Sequence, residues 1–132
     1  MPLQDLQEIS RWALSQDPPI WMHLDGARLW EAVAAGCGSL KEYAACFHSV
    51  SLCFTKGLGA PIGSIIVGSK PFIKRCRLWR KVLGGGIRAA GVVAAPARVS
   101  VEQVFLRGRL HAAQITAKKI AQRWERIPPR RI

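Results

Sequence analysis

In Ser51-Leu52-Cys53-Phe54-Thr55-Lys56-Gly57-Leu58-Gly59-Ala60-Pro61, an apolar run stops at a lysine, and small or rigid residues follow at once. Gly57 and Gly59 let the backbone turn without Cβ clashes, and Pro61 fixes the direction of exit. Burying an amine at such a place favours its neutral form, which is what a nucleophile or Schiff-base former needs. The same pattern also suits a surface lysine that opens a glycine-rich turn.

A second stretch lies upstream. Ile20-Trp21-Met22-His23-Leu24-Asp25-Gly26-Ala27-Arg28-Leu29-Trp30 is again strand-like and runs into a carboxylate and a glycine. A carboxylate at the C-terminal end of a parallel strand faces the crevice where open α/β sheets bind ligands. Asp25 and Lys56, 31 positions apart, each close a predicted strand. That pair meets the needs of pyridoxal 5'-phosphate: the carboxylate keeps the pyridine nitrogen protonated and the lysine holds the cofactor as an imine. Asp25 also suits a helix N-cap. Arg28, three residues on, can pair bidentately with a carboxylate or form a surface salt bridge to Glu31. His23 shares a strand face with Asp25, either flanking a ligand or hydrogen-bonded in the core.

His23-Leu24-Asp25-Gly26-Ala27-Arg28 and Lys56-Gly57-Leu58-Gly59-Ala60-Pro61 together resemble the low-specificity threonine aldolases of the β-eliminating lyase family. The resemblance continues through Gly63-Ser64, Val67-Gly68-Ser69-Lys70, Arg80-Lys81-Val82-Leu83-Gly84-Gly85-Gly86-Ile87-Arg88 and Gly91-Val92. Linked motifs in one order make it specific. It implies cleavage of a β-hydroxy-α-amino acid, L-threonine or L-allo-threonine, to glycine and acetaldehyde. Lys56 and Asp25 would be catalytic, and Arg28 and Thr55 would join them in holding the cofactor. Arg28, Lys81 and Arg88 would bind substrate, the last two near a neighbouring subunit's site in a homo-oligomer, a dimer of dimers. A related β-eliminating lyase or an amino acid racemase fits the same motifs.

The resemblance also implies an α/β fold: part of the large domain of a fold-type-I pyridoxal phosphate enzyme, a mostly parallel sheet flanked by helices and truncated at both ends. Residues 1–106 would belong to that domain and 107–132 would begin the small C-terminal domain or a connecting helix. A histidine that stacks on the cofactor ring and a glycine-threonine phosphate cradle are expected before Met1, and a further carboxylate-binding arginine after Ile132. His48 departs from the family pattern, which has an acid there, and so does Ala89, where glutamine is common.

The elements that must position these residues follow from periodicity and punctuation. Leu3–Ser15 predicts an amphipathic helix, stopped by Gln16-Asp17-Pro18-Pro19. Strand Ile20–Leu24, a helix over Ala27–Ala35 and a short helix over Ser39–Ala45 come next, the last with Ser39 and Glu42 spaced as a capping box. Ser49–Phe54 is predicted as a buried parallel strand, and Gly63–Val67 as its antiparallel neighbour, because the loop between them is too short for a crossover. Helices are expected over Lys70–Leu83, with Phe72, Cys76, Trp79 and Leu83 on one face, over Arg88–Leu106 with a break at Pro96, and over Arg109–Arg126, with Ile115, Ile120 and Trp124 among its apolar positions. Pro128–Ile132 reads as a loose end.

With 132 residues the chain can bury a core, yet 49% apolar residues and a mean hydropathy of +0.10 imply apolar surface in search of a cover. No signal peptide and no membrane-length apolar run are visible, so a cytoplasmic enzyme with no membrane partner is expected. The four cysteines, Cys37, Cys46, Cys53 and Cys76, lack metal-ligand spacing; no metal is expected, and buried free thiols are the reading. The net charge of +12, with no Asp or Glu between Tyr43 and Val101, is the rival signal: a basic, non-catalytic nucleic-acid-associated protein. No helix-turn-helix or RNA-recognition signature supports it, and no aromatic platform interleaves the basic residues. No specific nucleic acid is therefore expected.

Overall fold

Residues 1–126 are described by the computed structural model. Helix α1 (Leu3–Leu14) buries Leu6, Ser10 and Ala13 along one stripe. The Ile20–Leu24 strand is shifted: β1 spans His23–Gly26, and Met22 forms its threshold. There the Met22 backbone N–H donates to His48 Nδ1 at 3.0 Å, and the His48 N–H returns a bond to Met22 O at 3.0 Å. Trp21 stacks on the His48 ring at 4.4 Å. His48 thus continues the strand pairing through its side chain.

β2 (Ser49–Cys53) lies parallel to β1, with Asp25 opposite Ser51 and Gly26 opposite Leu52. β3 (Ser64–Gly68) pairs antiparallel to β2, as the short loop required, giving the order β1-β2-β3. Side chains alternate across the sheet. Leu24, Val50 and Leu52 face a layer made by α1, α2 (Leu29–Ala34) and α3 (Leu40–Ala45), where Leu6, Leu29, Tyr43, Cys46 and Val50 form the first core cluster. The capping box of α3 is complete: Glu42 N–H donates to Ser39 Oγ at 3.2 Å, and Ser39 N–H donates to Glu42 Oε2 at 2.8 Å.

α4 (Lys70–Val82) packs beside β3, its start capped by Ser69. Its expected stripe is only half used. Phe72 and Cys76 are partly buried, whereas Trp79 and Leu83 are 55% and 80% exposed because no described element lies over that end. α5 (Gly91–Ser100) runs through Pro96 without ending there and passes into a π-helical turn at Val101–Phe105. Gly108, at φ 71°, then opens α6 (Arg109–Glu125). Only Leu110 of α6 is buried; Ile115, Ile120 and Trp124 face outward. The expectation for Pro128–Ile132 lies outside the described residues.

A second core cluster joins α2 to the rest. Trp30, Leu58 and Leu110 are buried together, with Phe54 and Phe105 against them, and the Trp30 and Phe105 rings meet edge to face at 4.9 Å. The loop that carries Lys56 is anchored here.

Candidate active site

β1 and β2 are adjacent, parallel and in register, so their C-terminal ends open on the same edge of the sheet. Asp25 is the penultimate residue of β1, and Lys56 lies three residues beyond the end of β2. Both side chains are exposed at that edge. The expected burial of Lys56 is absent: the chain turns outward at Thr55-Lys56-Gly57 and returns inward only at Leu58, 2% exposed.

Asp25 does not cap α2, which begins at Leu29 with Arg28 in the cap position. Instead its Oδ1 accepts from the Ala27 N–H at 3.2 Å, closing the turn out of the strand. Gly26 is obligatory there for a different reason: a Cβ would sit 2.8 Å from Ser51 O and 3.1 Å from Leu52 Cδ2. His23 Nδ1 and Ser49 Oγ share a hydrogen bond of 2.8 Å, which links β1 and β2 on the face that Asp25 shares.

Arg28 is exposed, and Glu31, its expected partner, is engaged elsewhere: Glu31 Oε1 accepts from the Gly57 N–H at 2.9 Å. Thr55 Oγ1 lies 3.0 Å from Cys53 Sγ. Bonds from the Thr55 hydroxyl and backbone amide, followed by the charge of Lys56, hold the Cys53 thiol below its ordinary range. Burial pushes Cys46 the other way. Of the four thiols only Cys46 is buried and Cys37 is exposed, which corrects the expectation of buried cysteines. Lys81 and Arg88, both exposed, belong to the last turn of α4 and the turn before α5. No hydrogen bond or ion pair among the described residues ties either to Asp25, Arg28 or Lys56.

The burial of Leu58 and the bond from Glu31 to the lysine loop are what sequence reasoning passed over. The available signal was a carboxylate inside the apolar run Leu29-Trp30-Glu31-Ala32-Val33, where burial calls for a partner.

The donor set fits pyridoxal 5'-phosphate: a carboxylate with no ion pair among the described residues for the ring nitrogen and a primary amine from the loop after the neighbouring strand. Gly59 and Gly63, at φ 69° and 117°, take the left-handed backbone that glycine allows, and a Cβ at Gly59 would meet nothing within 4 Å. A cleft of about 590 Å³ between β3 and α4, lined by Ser51, Ser64, Ile66, Cys76, Arg77 and Arg80, involves neither Asp25 nor Lys56.

Residues 1–131 match the model of the family described as "Beta-eliminating lyase". The chain is 59% identical over 125 residues to Aldolase vrtJ of Penicillium aethiopicum, covering 95% of this chain and 32% of that protein. It is 41% identical over 132 residues to Alanine racemase TOXG of Cochliobolus carbonum, covering 96% and 33%. A crystal structure from Listeria monocytogenes, provisionally assigned as an L-allo-threonine aldolase, superposes with a TM-score of 0.84 at 30% identity, over 93% of this chain and 33% of that one. The chain spans about a third of the length of the curated relatives it matches.

Proposed function

Because the chain belongs to the beta-eliminating lyase family, we propose that it carries the aspartate–lysine centre of a pyridoxal 5'-phosphate-dependent carbon–carbon lyase. The substrate is a β-hydroxy-α-amino acid, L-threonine or L-allo-threonine, and the products are glycine and acetaldehyde. The observation that carries this reading is the register of β1 and β2, which sets Asp25 and the lysine loop at one edge of the sheet. When bound, the cofactor supplies an electron sink for the pair left by the broken Cα–Cβ bond. Asp25 holds the proton on the pyridine nitrogen, so that the sink stays electron-poor. Lys56 would hold the cofactor through its Nζ. Arg28 takes the α-carboxylate or the cofactor's phenolic oxygen, and Thr55 offers its hydroxyl to the phosphate. Lys81 and Arg88 serve the site of a neighbouring subunit in a cytoplasmic homo-oligomer.

The test is incubation with pyridoxal 5'-phosphate, borohydride reduction and peptide mapping across the seven lysines, alongside an assay of aldehyde release. Saturable labelling of Lys56 alone is expected, and Lys56→Ala abolishes it. Asp25→Ala should lower aldehyde release by about 100-fold or more, the low end of what a well-placed proton contributes. Normal turnover by Lys56→Ala sinks the reading. The similarity to an alanine racemase favours one alternative on the same centre: conversion of L-alanine to its enantiomer without release of aldehyde.

A further inference from the structure

We infer that Glu31 is the positioning residue of the lysine loop, the tether that fixes where Lys56 stands relative to Asp25. The inference rests on the reading of Lys56 as the cofactor-binding lysine. Three observations on the α2 side of the loop support it. Glu31 Oε1 accepts from the backbone N–H of Gly57, the residue directly after Lys56, at 2.9 Å. Gly57 is pressed against the whole end of that side chain: a Cβ there would lie 2.6 Å from Oε1, 2.7 Å from Cδ and 2.9 Å from Cγ. The carboxylate is also committed inward, since its Oε2 is buried with no hydrogen-bond partner among the described residues, while the Glu31 backbone carbonyl accepts from Gln114 Nε2 at 2.8 Å.

A carboxylate bonded to a backbone N–H is a charge-assisted contact, stronger than a neutral one. Here it spans the gap between two segments that carry the chemistry. Glu31 follows Asp25 by six residues, on the helix that β1 runs into, while Gly57 follows Lys56 by one. Leu58 then buries the next residue of the loop against Trp30, the neighbour of Glu31. The bond and the buried leucine hold the loop at two successive residues, leaving the Lys56 side chain exposed on a fixed backbone.

The experiment titrates the wild-type chain and the variants Glu31→Ala, Glu31→Gln, Gly57→Ala and Glu31→Ala/Gly57→Ala with pyridoxal 5'-phosphate. It reads the affinity from the absorbance of the lysine-bound cofactor, then the share of borohydride-fixed label on Lys56. Glu31→Gln keeps a carbonyl acceptor and should stay within about threefold of wild type. Glu31→Ala removes the charged acceptor that holds the Gly57 N–H and should weaken Lys56 labelling about tenfold, with label spreading to other lysines. Gly57→Ala should behave like Glu31→Ala, and the double variant no worse than either, because both remove one contact. If Glu31→Ala fails to fold, Glu31→Gln and Gly57→Ala decide. Wild-type labelling in Gly57→Ala, a Glu31→Gln as poor as Glu31→Ala, or losses that add in the double variant would overturn the inference while Lys56 keeps its role. Absence of Lys56 labelling in the wild type would overturn both together.

Discussion

Replacing Leu58 by alanine tests whether the lysine loop is held from below. Leu58 is 2% exposed and lies in one cluster with Trp30 and Leu110. The change removes three carbons at about 0.8 kcal/mol each, and the cavity left among rigid aromatic neighbours raises the cost to about 3–4 kcal/mol. That is a large share of the stability of an ordinary domain, so the effect should be plain in urea unfolding as a lower midpoint at unchanged slope. Leu83→Ala is the control. Leu83 is 80% exposed, and its loss should stay within about 0.5 kcal/mol. Leu110→Ala should couple to Leu58→Ala by about 0.5–3 kcal/mol, since the two side chains share the cluster. At temperatures where Leu58→Ala remains folded, its Lys56 should label less selectively with pyridoxal 5'-phosphate. A loss below about 1 kcal/mol, or an equal loss from Leu83→Ala, would refute the claim that Leu58 anchors the loop.

Thiol chemistry offers an independent check on the same loop. Cys53, whose thiol Thr55 and Lys56 hold low, should be alkylated at a lower pH than Cys46, which burial holds high and shields; Thr55→Val should shift the Cys53 profile upward, and an unshifted profile would count against the Cys53–Thr55 contact. At α3, Ser39→Ala should cost about 1 kcal/mol in a denaturation experiment, the usual worth of an N-cap. The partner in that box titrates. Ser39 lowers the Glu42 carboxyl in the folded chain, so its contribution is complete above the ordinary glutamate range and is lost as pH falls through the lowered value. Acid unfolding of Ser39→Ala should accordingly show a weaker pH dependence than wild type over that interval.

Features governed by neighbours along the chain are legible in the sequence itself. The spacing of Ser39 and Glu42 specifies a cap whose two backbone bonds are both present. The short connection between Phe54 and Ser64 dictates an antiparallel β3. Features decided across the fold are not legible in this way. β1 starts at His23 rather than Ile20 because pairing with β2 begins at Ser49, and His48 uses a ring nitrogen in place of a backbone acceptor just before it. Asp25 has the sequence position of a cap, standing before a helical pattern, but the strand holds it and the helix starts later. Lys56 has the apolar neighbours of a buried residue. Those neighbours turn inward at Phe54 and Leu58, and the lysine between them is left at the rim.

The helical stripes carry a different lesson. Leu78, Trp79, Val82 and Leu83 on and just after α4, and Ile115, Ile120 and Trp124 on α6, recur at helical spacing as core residues do, yet each is more than 40% exposed. Helical periodicity records a demand for burial rather than burial itself, and no described element meets that demand at these two places. The aspartate–lysine edge is less affected by this shortfall. Its geometry depends on the β1–β2 register, the Glu31–Gly57 bond and the packing of Leu58, all of which lie in or beside the two core clusters. A surfactant or a lower temperature that relieves association through the exposed stripes should leave Lys56 the preferred lysine. That outcome is expected because the anchors of the loop lie where the chain is packed, whereas the stripes lie on its exposed faces.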